Sequence, residues 1–340
     1  MAGIAIVAQG ALLSGAAWAA ANPRLVTDTV TVWTNPLDPV IATYADQAGL
    51  SDRGRFLLTA SLPQILPAPR FEELCGTAVP GIGVLGCYTR DDGRIHLYDV
   101  TDADLSALEP VVAAHEMLHA AWDRLTAEER ASLVTPLESA FGALGPEHEL
   151  VERIAGYEQR DPASRVPELY AIIGTEVAGS VGDGLGPILE QHYADYFVDR
   201  SRVVALAGQV QSLFVALEQQ LLQLAGRIDE LSARITSEQA AYGADSDVFL
   251  ADLARFDERA STPGGYRSQS VFLADREALV ERQDALRERR DATNAVVDEH
   301  NTLLVDLTAL NAEAAALNQA INVEANTIDE TTELPQGDVD

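Results

Sequence analysis

Lysine is missing from the 340-residue sequence, so all 23 basic side chains are arginine. They face 53 Asp and Glu residues, which leaves a formal net charge of -30. A surface this acidic repels phosphate backbones and excludes nucleic acid as a partner. It also repels anionic headgroups, so any hold on a membrane has to be hydrophobic. Solubility is what such a charge most simply supplies.

Charge is also missing from the start of the chain, where nothing ionisable precedes Arg24. The apolar, Ala-rich run over residues 1–22 suits a signal peptide, with Ala19 and Ala21 fitting an A-x-A cleavage site before Asn22. About 20 apolar residues can also span a bilayer, so a retained anchor competes with cleavage. A buried Ala-rich helix of a cytosolic protein is the third reading. The expectation is export: extracytoplasmic, secreted or tethered to the membrane.

Cysteine is nearly absent. Cys75 and Cys87 bracket a Gly- and Pro-containing loop, and an even pair in an exported chain favours a disulfide. Two cysteines alone exclude a structural zinc site built on thiolates.

What the chain does contain is helical pattern with little β. Pro23, Pro36 and Pro39 mark 23–40 as an extended linker. Residues 41–66 read as a helix interrupted near Ser51-Asp52-Arg53-Gly54 and then a loop closed by prolines. Two apolar runs around Asp91-Asp92-Gly93, ending in Arg94–Val100, read as a β-hairpin. Helices follow over 103–198, broken by a polar stretch at 145–167 and a Gly-rich loop, Gly179–Gly186. Beyond that, Val210, Phe214, Leu217, Leu221, Leu224, Ile228, Leu231 and Ile235 alternate spacings of four and three. A second seam runs through Leu303, Leu307, Leu310, Ala314, Leu317 and Ile321. Folding about Gly264 brings the seams together as an antiparallel coiled-coil hairpin over 199–328, with arms of roughly 80 Å. The competing arrangement is a compact helical bundle. An acidic tail, 329–340, reads as disordered.

The chemistry is carried by His115-Glu116-Met117-Leu118-His119. Two imidazoles four residues apart share a helix face and can take adjacent positions around Zn²⁺. Glu116 is placed to act as general base on a water that the metal activates. Apolar flanks, Pro110–Ala114 and Ala120–Trp122, suit a half-buried active-site helix. A catalytic zinc needs a third protein ligand and an open position. No third histidine follows at the longer motif's spacing, since position 125 is Leu. The third ligand is therefore expected from an acidic residue on a later helix.

The run Pro167-Glu168-Leu169-Tyr170-Ala171 resembles the ligand helix of gluzincin-type zinc metallopeptidases. That resemblance implies Glu168 as third ligand, with Glu176 as its rival and His192 a further choice. Over residues 41–198 the chain also resembles uncharacterised bacterial envelope metallopeptidases. The residues that carry this are Ser51–Arg55, the Cys-flanked hairpin, the His-Glu-Met-Leu-His-Ala-Ala-Trp run and Leu189-Glu190-Gln191-His192-Tyr193. The implied fold is α+β but mostly α, a zincin-like domain with a small sheet. In such a fold Arg94–Val100 would be the sheet edge that pairs with an extended peptide along Ile95–Tyr98. A donor to the developing oxyanion is expected from Tyr193 or His192, with Tyr157 behind them. His96, His148 and His300 read as structural.

Two functions compete. One is an exported zinc metalloendopeptidase whose coiled coil positions it or selects a protein partner, or self-associates. The other is a non-enzymatic envelope scaffold that works through the hairpin. A zinc hydrolase acting on non-peptide amides of the cell wall is a third, weaker reading.

Overall fold

The computed structural model describes residues 19–76, 85–178 and 185–321. Most of the candidate leader, the Gly179–Gly186 loop up to residue 184 and the acidic tail lie outside the described residues. Contacts divide the chain into two compact units, one running to Leu213 and resuming at Ala316, the other Phe214–Ala315.

The first unit opens with α1 (Pro23–Thr34), which corrects the expectation of an extended linker. Proline is well tolerated in a helix's first turn, where its missing N–H costs nothing. Asp28 then fixes the helix by accepting two hydrogen bonds from Arg124, at 2.9 and 3.0 Å. Helices α2 (Pro39–Gln47) and α3 (Asp52–Ala60) follow, capped by Asp38 and Ser51. Ser51 also explains its motif: its backbone N–H donates to the Tyr196 carbonyl and its hydroxyl to that of Asp195. A Cβ on Gly54 would strike the same Tyr196 carbonyl, so only glycine lets α3 dock there.

The prolines after α3 do not close a plain loop. They flank β1 (Gln64–Leu66), which is followed by α4 (Ala68–Cys75). The expected hairpin is present as β2 (Gly86–Thr89) and β3 (Arg94–Tyr98), turning through Gly93 at φ 71°. Sheet order is β1-β3-β2, parallel between β1 and β3 and antiparallel between β2 and β3. This corrects the edge assignment, because β1 pairs along Gln64↔His96 to Leu66↔Tyr98 and puts β3 in the centre. Among the described residues β2 ends the sheet. On β3, Ile95 and Leu97 join the main core, while Tyr98 meets Phe71 of α4 on the other face, rings 5.8 Å apart.

The Cys75–Cys87 disulfide is formed and ties α4 to β2. Closing a loop of this length contributes about 3 kcal/mol in the chain-entropy account.

Five helices complete the core: α5 (Leu108–Arg124), α6 (Ala127–Gly142), α7 (Glu149–Arg160), α8 (Arg165–Thr175) and α9 (Pro187–Tyr193). Among them α5 is buried on most of its surface, with Ala113, Ala114, Met117, Leu118, Ala120 and Ala121 all enclosed. Small side chains let its neighbours approach. Gly174 does the same for α8, where a Cβ would overlap Leu118 and Tyr193. No helix among the described residues is long and apolar enough to cross a membrane.

The second unit consists of the facing stretches of α10 (Arg200–Ser261) and α11 (Gln269–Ile321). They run antiparallel, as the seams imply. Arg227 bonds Glu299 and Glu238 bonds Arg289, within two residues of the register set by folding about Gly264. Each seam residue named from the sequence is buried or half-buried, save Ile321, whose side chain lies outside those described. At the turn Phe256, Tyr266 and Phe272 stack mutually at 5.2–5.8 Å, and Arg259 lies 4.5 Å over the Tyr266 ring. His300 pairs with Ser232 across the helices, a structural role.

Candidate metal centre

Three side chains from two helices converge. His115 and His119 stand one turn apart on α5, and their Nε2 atoms approach to 3.1 Å. Glu168, in the first turn of α8, brings Oε2 to 3.5 Å from His115 Nε2 and Oε1 to 3.5 Å from His119 Nε2. Four ligands at about 2.0–2.1 Å around a tetrahedral ion are separated from one another by about 3.3–3.4 Å. The three observed separations, with the carboxylate turning a different oxygen to each imidazole, are of that order. Together the three residues form the group of His and acidic ligands able to hold a cation among the described residues. Each keeps about 15% of its side chain exposed, so water has access to the point of convergence.

The surrounding potential favours a cation. Burial pushes the Glu168 carboxyl up, but the neighbouring imidazoles outweigh it and hold it well below the usual carboxylate range. Burial would depress His119, yet the adjacent Glu168 carboxylate raises it. Glu116 is 4% exposed. Burial pushes its carboxyl up, opposed by the two histidines. Its Oε2 has no hydrogen-bond partner, and neither has Glu168 Oε2. Buried carboxylate oxygens without donors are costly, and a cation is a partner that such an acceptor-rich pocket suits.

β2 forms the roof over Glu116. A Cβ on Gly86 would lie 2.5 Å from Val112 Cγ1, 2.8 Å from Glu116 Cγ and 2.9 Å from its Oε1. The Tyr88 backbone N–H donates to Glu116, and the Tyr88 hydroxyl donates to Asp123 at 3.0 Å. Arg24 of α1 reaches Asp123 and Tyr88 too, closing a clamp between α1, β2 and the end of α5. This role of β2 went unread in the sequence, although glycine inside a strand marks close backbone approach. Gly86→Ala should push β2 off α5, lowering stability by about 1–3 kcal/mol, as overpacking does. Chemical denaturation measures it; an unchanged midpoint would show that β2 moves freely.

No family model, curated protein or solved structure matches this chain. The site therefore rests on its own geometry.

The other residues picked out from the sequence have different partners. Glu176 is ion-paired to Arg153 of α7, away from the histidines. Tyr193 is buried, and its hydroxyl donates to the Tyr170 carbonyl at 2.7 Å. His192 pairs through Nε2 with the Tyr170 hydroxyl at 2.9 Å. Tyr193 and His192, expected from the sequence as oxyanion donors, are both engaged by Tyr170, two residues from Glu168. With Trp122, whose ring lies 5.0 Å from that of Tyr170, they hold α8 against α5 and so position the carboxylate. Tyr157 of α7 lies near enough to the site to feel its charges. Burial raises its pKa first, and the charges of Glu168 and Glu116 raise it further, so it stays a protonated donor. His148 caps α7 by accepting from the Leu150 amide, and His96 is buried in β3, both structural.

Proposed function

We propose that this chain is an exported zinc metallopeptidase of zincin-like architecture, in which His115, His119 and Glu168 hold one Zn²⁺ and Glu116 is the general base. The observation that carries the reading is the convergence of those three side chains beside a second, buried carboxylate that takes no part in it. A structural zinc site would need no such group.

Zinc, when bound, supplies electrophilic polarisation of the scissile carbonyl and acidifies a water. Glu116 accepts the proton of the attacking water and passes it to the leaving amine; its burial holds its pKa above that of an ordinary carboxylate, which suits both steps. The Tyr88 amide holds one of its oxygens in place. Tyr157 donates a hydrogen bond to the oxygen that gains charge. The outer edge of β2, apart from the Tyr88 amide held by Glu116, offers backbone groups to an extended peptide, taking the place that the sequence alone assigns to β3. Export agrees with the disulfide, since such bonds persist in oxidising compartments.

The test is metal analysis of the purified chain joined to hydrolysis of a mixed peptide library. About one zinc per chain is expected, with cleavage lost on chelation and restored by added zinc. Bound zinc with no cleavage of any peptide would point instead to the scaffold reading.

A further inference from the structure

α1 turns an apolar stripe outward. Val26, Val30 and Trp33 recur at spacings of four and three, which places them on one face. Trp33 is 85% exposed and Val30 53%, with Val26 half-buried on the same face. The opposite face is fixed in the fold. Asp28 is buried in its two hydrogen bonds to Arg124, and Arg24 is held by Asp123 and Tyr88. Rolling the helix to hide the stripe would break those ion pairs, so its outward direction is built in.

Contiguous apolar surface rimmed by polar residues marks a contact with something apolar. The sequence says what. The stripe begins where an uncharged run of 23 residues ends, and that run is apolar enough to enter a bilayer. A net charge of -30 makes an anionic surface repulsive, so the contact has to be hydrophobic. An exposed Trp beside aliphatic residues on a helix is the side-chain set that settles at headgroup depth.

We propose that α1 lies in the interface of a zwitterionic bilayer with Val26, Val30 and Trp33 inserted. Through Arg24 and Asp28 the same helix is locked to the end of α5 and to β2, so the unit that carries His115, His119 and Glu168 is held on the membrane without a flexible spacer. This stands whether or not the site hydrolyses peptides.

The test uses the full chain with phosphatidylcholine vesicles brominated at shallow acyl positions. Its tryptophans are Trp18, Trp33 and Trp122. Fluorescence quenching in the wild type should exceed that in Trp33→Phe, the difference being the inserted Trp33. Val30→Glu with Trp33→Glu should weaken partition at least about tenfold. Both positions are exposed, so melting temperature should hold and a folding failure can be recognised. Equal quenching in wild type and Trp33→Phe, or unchanged partition of the Glu variant, would mean that the apolar run alone makes the contact and would overturn the proposal. So would failure of the wild type to bind vesicles while α1 mediates a dimer in solution.

Discussion

A Glu116→Gln chain should bind zinc as tightly as the wild type while hydrolysing peptides about 10²–10⁴-fold more slowly. Two observations separate the effects. None of the Glu116 oxygens belongs to the converging set of His115, His119 and Glu168, so ligation should survive. The amide keeps the size of the carboxyl and an acceptor for the Tyr88 N–H, so β2 should stay in place above α5. What is lost is basicity alone. Stability should not fall, because burial already disfavours the charge that the substitution removes. Zinc affinity by chelator competition and kcat/KM on the best library peptide are the two measurements. Unchanged kcat/KM with zinc bound would remove Glu116 from the mechanism and leave the cation with a structural role.

The parts of this arrangement that are local in sequence were legible there. Two histidines four apart share a face of any helix, and apolar neighbours all around said that this helix is enclosed. The β2–β3 turn was legible because Asp-Gly chemistry at Asp92-Gly93 needs only four residues to act. The α10–α11 register was legible because a heptad seam leaves few ways to pair two arms about Gly264. The disulfide followed from cysteine count and loop length.

What failed depends on which distant segment arrives. β1 is three residues long and lies between prolines, too short for a period to register, and its pairing is what moves β3 from edge to centre. Tyr193 and His192 carry the functional groups of a donor, but helical periodicity could not say that Tyr170 would take both. Tyr157 ranks behind them on the sequence alone, although α7 brings it within reach of the Glu168 charge. Pro23 read as a linker residue because its permissive place at the start of a helix is visible only with Asp28 and Arg124 in contact.

The choice between Glu168 and Glu176 shows the same limit and gives the second large effect. Eight positions apart, the two acids fall near one face of a helix, so spacing leaves both in play. Tertiary structure separates them: Arg153 takes Glu176, while Glu168 remains with the histidines. Removing a residue that only supports a metal ligand typically lowers affinity 10–100-fold, so losing the ligand itself should exceed about 100-fold. Glu168→Ala should therefore abolish zinc retention on dialysis and hydrolysis with it. Glu176→Ala should instead strand the Arg153 guanidinium, whose Nε already lacks a partner, and lower the unfolding midpoint while zinc affinity stays within the smaller range. Chelator competition alongside denaturant unfolding reads both quantities on each variant. If zinc is held equally well without Glu168 in a folded chain, the carboxylate at 3.5 Å from both imidazoles is an ion-pair partner and the cation site has to be sought elsewhere.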